Sequence, residues 1–310
     1  MPSPSGIILY DKKPGITSFS ALGKIKKTLA TKKVGHTGTL DSFAQGLLVV
    51  CVGSLTRLAG LITAFDKEYE ALLVFGEKTD TLDPTGKIVQ RAALPTLASL
   101  SEAIKKFTGN IMQRPPEFSA IKIGGKRASD LARSGGEAKI PERPVVVYEA
   151  CLLEAASDSG NVLDLSDGGA LVKTARVRFL VSKGTYIRSL ARDIGEASGS
   201  CASLETLKRT RVGNFLLKDA ANEGNVGPSS LLPLSQETAA LCGLGSAVIK
   251  ESRERDFLNG RPLREGDFLL PLKDGKSVVF GKNGVFFGAV EKVSGRVKYD
   301  FVVPCGGEGK

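Results

Sequence analysis

The only histidine of the chain, His36, lies in the stretch VGHTGTLDSFAQGLLVV at residues 34–50, with Gly35 and Gly38 close by and Asp41 five positions on. Histidine is the usual acid–base group near neutral pH, so His36 is the first candidate for chemistry. A Ser-His-Asp triad would have to form around it, but the chain lacks the GxSxG elbow that presents the serine in many hydrolases. A zinc centre needs several His, Cys or carboxylate ligands at suitable spacing, and one histidine with scattered cysteines does not supply them. Neither GxxxxGK[ST] nor GxGxxG occurs, and the Gly-rich VGHTGTL lacks the phosphate-binding lysine.

Three readings of the stretch remain. GHTG fits the GxxG loop with which KH domains clamp an RNA backbone, although a carboxylate at Asp41 would repel phosphate there. Alternatively, Gly35 and Gly38 permit a tight turn and Asp41 caps a loop or helix. In the third reading Asp41, ionised and fixed at a loop–strand junction, is a nucleophile. It then needs placement more than activation. An arginine beside it would fix its orientation and lower its pKa. Arg188, one turn into a helix whose Ile187/Leu190 face is expected to be buried, is the candidate; its alternative is a surface salt bridge.

The elements that must position these residues follow from periodicity. Residues 6–10 read as a strand ending at the DKKPG turn. Phe19, Leu22, Ile25 and Leu29 recur at helical spacing behind a Ser18 cap. The GHTGTLD motif reads as a loop and LLVVCVG as a buried strand. YEALLVFG is a further strand, followed by the turn-rich TDTLDPTG. Leu97, Leu100, Ile104 and Phe107 mark a helix. PVVVYEACLLEA and TARVRFLVSKG are strands; in the second, Ala175, Val177, Phe179 and Val181 share one face and Arg176 and Arg178 the other. Ile187, Leu190, Ala191 and Ile194 mark a helix in GTYIRSLARDIGE. Residues 222–245 read as a linker or connecting segment. The tail contains a hairpin with Asn283-Gly284 in its turn and suggests a small β-barrel-like module. Strands and helices mix without a βαβ rhythm, which predicts an α+β fold.

The 310 residues suffice for two domains. Lysine and arginine number 43 against 33 acids, a formal charge of +10, which suits a polyanionic partner such as nucleic acid. Lys24, Lys26, Lys27, Lys32 and Lys33 cluster without an intervening acid. Five dispersed cysteines, Cys51, Cys151, Cys201, Cys242 and Cys305, favour free thiols in a reducing compartment. No signal segment or membrane-length apolar run is evident, so a cytoplasmic protein is expected.

The GHTGTLD motif followed by GLLVVCVG resembles the signature of the TruB family of pseudouridine synthases, which isomerise uridine 55 in the T loop of tRNA. Further matches fall in the family's order: LYDKKPGITS, FDKEYEALLVFGEKTDTLDPTG, RPPEFSAIKIGGKR, SKGTYIRSLARDIG and LKRTRVGNF. Together they span about residues 6–216. The resemblance implies that Asp41 is the catalytic aspartate attacking a flipped uridine. It implies that Tyr69 stacks on the base and accepts a proton late in the reaction, and that Arg188 pairs with Asp41. Tyr186 and Leu207 are implied to line the uracil pocket, His36 to contact the RNA beside the flipped nucleotide, and Lys12 to lie close to the active site.

The resemblance also implies a pseudouridine synthase core with a mixed β-sheet and flanking helices, over residues 1–235. The tail AVIKESRERDFLNGRPLREGDFLL resembles a PUA-type RNA-binding domain, which gives a β-rich PUA-like C-terminal domain at 244–304. The isomerisation needs no cofactor and no metal, and the expected partner is the T stem-loop of tRNA, bound by a monomer. The sequence departs from the family pattern at Ser42, where proline is usual and where serine would loosen the loop. It also departs at Gln45, at Phe118 in place of tyrosine, and at Ala128 and Ser129 in place of Leu and Tyr.

Overall fold

The computed structural model describes residues 4–119, 121–123, 125–128, 130 and 140–303. Ser129 and Cys305, singled out above, lie outside the described residues. The strands in chain order are β1 (Gly6–Lys12), β2 (Val34–His36), β3 (Gln45–Val52), β4 (Lys67–Phe75), β5 (Glu77–Thr79), β6 (Ile88–Arg91), β7 (Gly109–Gln113), β8 (Lys122–Ile123) and β9 (Lys126–Arg127). They continue with β10 (Arg143–Ala156), β11 (Thr174–Val181), β12 (Ala202–Val212), β13 (Phe215–Leu216), β14 (Gly245–Val248), β15 (Gly275–Phe280), β16 (Phe286–Val293) and β17 (Arg296–Val302). Helices α1 (Ser18–Thr28), α2 (Ala59–Thr63), α3 (Leu97–Lys106), α4 (Ile187–Ala197), α5 (Gln236–Leu241) and α6 (Glu254–Leu258) punctuate them.

The main sheet runs in the order β1-β3-β12-β4-β11-β10-β7, with β2 added to β3 and β13 to β12. Its pairings are antiparallel except β3 with β12, which run parallel and meet only at Lys208↔Gln45 and Arg209↔Gly46. At that seam a Cβ on Gly46 would stand 2.4 Å from the Arg209 carbonyl oxygen, and Gly46 has φ +103. Only glycine fits there. This α+β arrangement with a mixed sheet is the fold class expected from the sequence.

Strand β3 is apolar from Gly46 onward because both of its faces are covered. Leu48, Val50 and Val52 join Ile8, Tyr10, Ala21, Leu22 and Ile25 in a core under α1. Leu47, Val49 and Cys51 face the opposite core, shared with Leu55, Leu58, Leu234, Val278 and Phe280. The third core lies under α3 and α4. There β11 buries Ala175, Val177, Phe179 and Val181, the face that alternation predicts.

Helix α1 corrects two expectations. Its cap is Thr17, whose Oγ1 accepts a hydrogen bond from the Ser20 N–H at 3.0 Å. Ser18 is buried in the first turn instead. Phe19 is 75% exposed rather than part of the apolar stripe. Each helical residue turns by about 100°, so the stripe through Ser18, Leu22, Ile25 and Leu29 leaves Phe19 on its flank; Ala21 takes the inner place.

Residues 222–245 are not a free linker. Their N-terminal neighbour Ala221 donates to Leu9 O at 2.9 Å, and Leu232 and Ile7 exchange backbone hydrogen bonds at 2.8 and 2.9 Å. The segment is laid along the edge of β1, and α5 then enters the second core through Ala239. Beyond it, β14-β15-β16-β17 form a four-stranded sheet rather than a closed barrel. Gly284 takes a left-handed φ of +79 in the expected β15–β16 turn. Cys51, Cys151, Cys201 and Cys242 are free thiols.

Candidate active site

Asp41 sits between β2 and β3, in a segment held from several directions. Ser18 Oγ donates to Leu40 O at 3.0 Å and accepts from the Leu40 N–H at 2.8 Å, which ties α1 to the residue before Asp41. The Ser42 carbonyl accepts from the Gly15 N–H at 2.8 Å and from Lys12 Nζ at 3.4 Å. Arg209, itself 2% exposed, donates to Gly38 O at 3.0 Å and to Leu47 O at 2.7 Å, bracketing the loop. The loop is thus pinned on both sides of the position where the family usually has proline, and Ser42 does not leave it loose.

The expected motif differs in one detail. Val34–His36 pairs with β3, placing His36 opposite Val50. Gly35 is therefore an extended strand residue, not part of a tight turn. Burial, and then the charge of Arg209, push the His36 pKa below the usual histidine value. That shift favours the neutral ring, which disfavours it as the proton donor.

Arg188 enters from the first turn of α4. Its Nη2 donates to Asp41 Oδ1 at 3.0 Å, and its Nε stands 2.9 Å from Oδ2 as an ion-pair contact without hydrogen-bond alignment. The same guanidinium donates to Thr81 O and Phe118 O, each at 3.0 Å. Its Nη1 is also 3.5 Å from Asp83 Oδ2. The charge is almost fully buried, with 5% of the side chain exposed. Asp83 is buried too, accepting from Thr81 Oγ1 at 2.8 Å and from Thr85.

A third of the Asp41 side chain opens on a cavity, yet closely surrounding protein still desolvates it. Desolvation is the largest effect and raises its pKa. Arg188 and Lys12 pull the other way, and Asp83 adds to the rise. The expectation that arginine sets the direction is therefore overturned: burial outweighs it. If ionised Asp41 drives the reaction, kcat/KM falls as pH drops through a value above 3.8, the ordinary aspartate pKa. A pH–rate profile checks this; an acid limb at or below that value removes the carboxylate from the rate.

The cavity has a volume of about 330 Å³, and Asp41, Tyr69, Arg188, Tyr186 and Leu207 all line it. Tyr69 comes from β4 and Leu207 from its neighbour β12, where Leu207 pairs with Ala71, two residues along from Tyr69. Tyr186 precedes α4. Gln113 fixes it by accepting from its N–H at 2.8 Å and donating to its carbonyl at 3.1 Å. The Arg143 guanidinium lies 4.9 Å from the centre of the Tyr186 ring. His36 and Lys12 are not on the cavity wall. Lys12 is wholly buried behind it, donating to Lys13 O and Ile16 O at 2.9 and 2.8 Å, and burial brings its pKa down to about 8.

Five of the seven residues implied by the resemblance thus meet at one cavity. Residues 26–187 match the model of "TruB family pseudouridylate synthase (N terminal domain)". The chain belongs to the TruB family of pseudouridine synthases. Among its relatives, tRNA pseudouridine synthase B of Treponema denticola is 48% identical over 262 residues, which cover 81% of this chain and 73% of that protein. That of Borreliella burgdorferi is 43% identical over 231 residues, 74% of this chain and 77% of the other. A chain from the crystal structure of a Cbf5-Nop10-Gar1 complex superposes with a TM-score of 0.66 at 25% identity, covering 96% of this chain and 85% of that one.

As a TruB-family member the chain is an isomerase: it exchanges a C1′–N1 bond for a C1′–C5 bond without net redox change or hydrolysis. Among the described residues, no group of three or more His, Cys, Asp or Glu is placed to hold a metal ion. No helix among them is long and apolar enough to cross a membrane. Sequence reasoning missed Asp83, Gln113, Ser18 and Arg209. Asp83 looked like a turn residue because Asp-Pro starts turns. Nothing local signals that its carboxylate faces Arg188.

Proposed function

We propose that this TruB-family enzyme converts uridine 55 in the T loop of tRNA to pseudouridine, with Asp41 as the nucleophile on a flipped-out uridine. In this reading residues 1–235 form the catalytic domain and 244–304 an RNA-binding domain. The observation that carries it is the Asp41 carboxylate, gripped by Arg188 and open to the cavity that Tyr69 and Leu207 share. The names of the relatives, tRNA pseudouridine synthase B, support tRNA as the substrate.

The chemistry follows from the placement. A base in a stack cannot expose C1′ to a carboxylate, so the nucleotide must leave it. That costs a few kcal/mol, less in a loop than in a paired stem. Stacking on an aromatic such as Tyr69 recovers about 1–3 kcal/mol. Asp41 can add to the uracil ring, attack C1′ or assist elimination of the base. All three routes start from the ionised carboxylate and end with C1′ joined to C5. The proton displaced from C5 then needs an acceptor, and Tyr69 is assigned that role.

The test is to incubate the chain with an unmodified T-stem-loop RNA and map the product. Pseudouridine at the position equivalent to 55 is expected; tight binding without conversion would make the chain a binder and remove the catalytic assignment. Affinity should also fall steeply with salt, because phosphate contacts release counterions. A flat dependence of log Kd on log salt would remove the polyanion argument drawn from the +10 charge.

A further inference from the structure

Helix α1 carries an exposed face that the cavity does not use. Phe19 is 75% exposed. The Lys26 ammonium lies 5.4 Å from the centre of the Phe19 ring. Lys27, Lys32 and Lys33 are exposed on the helix and on the turn after it, and no acid occurs between Ser18 and Lys33. Lys24 has a partner, Glu223, at 3.4 Å. Among the described residues no carboxylate lies within ion-pair distance of Lys26, Lys27, Lys32 or Lys33.

A lone exposed aromatic is ordinary on a protein surface, and a lysine run is usually only a solvated face. Position separates this case from both. Ser18, next to Phe19, is bonded through its hydroxyl to both backbone groups of Leu40, and Leu40 precedes Asp41. The first turn of α1 is therefore fixed beside the catalytic loop. A polyanion with one nucleotide at Asp41 can then reach this face with its neighbouring residues. Its bases offer π-faces to Phe19 and its phosphates meet exposed ammonium groups.

Resting on the function proposed above, we propose that the exposed face of α1 is a second RNA contact. Phe19 stacks against an unpaired base or ribose flanking the flipped uridine, and Lys27, Lys32 and Lys33 hold the adjoining phosphates. The contact is insensitive to sequence, since every base has a π-face and every nucleotide a phosphate. It raises the occupancy of the cavity without touching the reacting atoms.

The experiment compares the full chain with Phe19→Ala, Phe19→Trp and a triple Lys27→Gln, Lys32→Gln, Lys33→Gln variant. Readouts are Kd and KM for a T-stem-loop RNA, kcat at saturating RNA, and the salt dependence of Kd. Phe19→Ala is expected to raise Kd and KM on the order of tenfold, the scale of one lost base stack, with kcat little changed and Phe19→Trp restoring affinity. The triple variant should reduce the slope of log Kd against log salt by about 2–3, close to one counterion per lost charge. Because Phe19 is exposed, the alanine variant keeps the fold. Unchanged Kd in Phe19→Ala, or an unchanged salt slope in the triple variant, overturns the proposal. If the parent binds the RNA without converting it, the proposed function fails while the Kd comparison still decides this surface. If the parent does not bind it, both fail.

Discussion

Asp41→Asn should abolish pseudouridine formation, by on the order of 10⁴-fold or more, the scale seen when a nucleophile is removed from an otherwise intact site. Asparagine keeps the shape of aspartate but is neutral and a poor nucleophile. It can still accept the 3.0 Å hydrogen bond from Arg188 Nη2. The Arg188 charge is not stranded, because Asp83 stays 3.5 Å away and two backbone carbonyls remain bonded to it. The fold and the cavity wall should survive, and Kd for T-stem-loop RNA should stay within about threefold, under 1 kcal/mol. Single-turnover conversion with enzyme in excess, paired with a binding titration, makes the measurement. Turnover within tenfold of the parent would sink the assignment of Asp41 to chemistry.

Arg188→Lys should be nearly as damaging to kcat although the charge is retained. The guanidinium serves Asp41, Thr81 O, Phe118 O and Asp83 at once from a planar fork. An ammonium offers its donors from one atom and cannot span those acceptors. Each buried acceptor left unpaired costs about 1–3 kcal/mol. A carboxylate displaced by about 1 Å loses on the order of 100-fold in rate. A second readout separates positioning from mere damage. Arg188 lowers the Asp41 pKa through charge and hydrogen bonding, against the rise caused by burial. Weakening that grip should move the acid limb of the pH–rate profile to higher pH. A near-parental kcat with an unmoved limb would show that Asp41 is held by something else.

What could be read in the sequence was what local pattern encodes. Alternation in TARVRFLV gave the buried face of β11, and the Val-rich run gave a strand covered on both sides. The Ile187–Ile194 spacing placed Arg188 near the start of a half-buried helix. The resemblance then brought Asp41, Tyr69, Arg188, Tyr186 and Leu207 to one place, and the cavity holds all five. Contacts across long separations were not legible. Asp83 reaches Arg188 over more than a hundred positions, and Ser18 meets Leu40 although both read as ordinary first-turn and loop residues. The 222–245 segment looked like a linker because Gly, Asn, Pro and Ser signal irregular backbone. They do not say whether that backbone is free or bonded to an edge strand. Phe19 entered the apolar stripe because a period tolerates its spacing; only the packing of Ser18 against the loop fixes the rotation of the helix.

Strand β3 begins four residues after Asp41, and it is loaded from both sides. Leu48, Val50 and Val52 press on α1, near the start of the chain. Leu47, Val49 and Cys51 share their core with Val278 and Phe280, more than two hundred positions later. Mechanically it is a beam clamped between an N-terminal helix and a C-terminal sheet, with the proposed nucleophile just beyond its supported length. The C-terminal sheet is then more than an exchangeable cassette. Any replacement would have to reproduce one jaw of the clamp, and slack there would reach Asp41 as a change in aim.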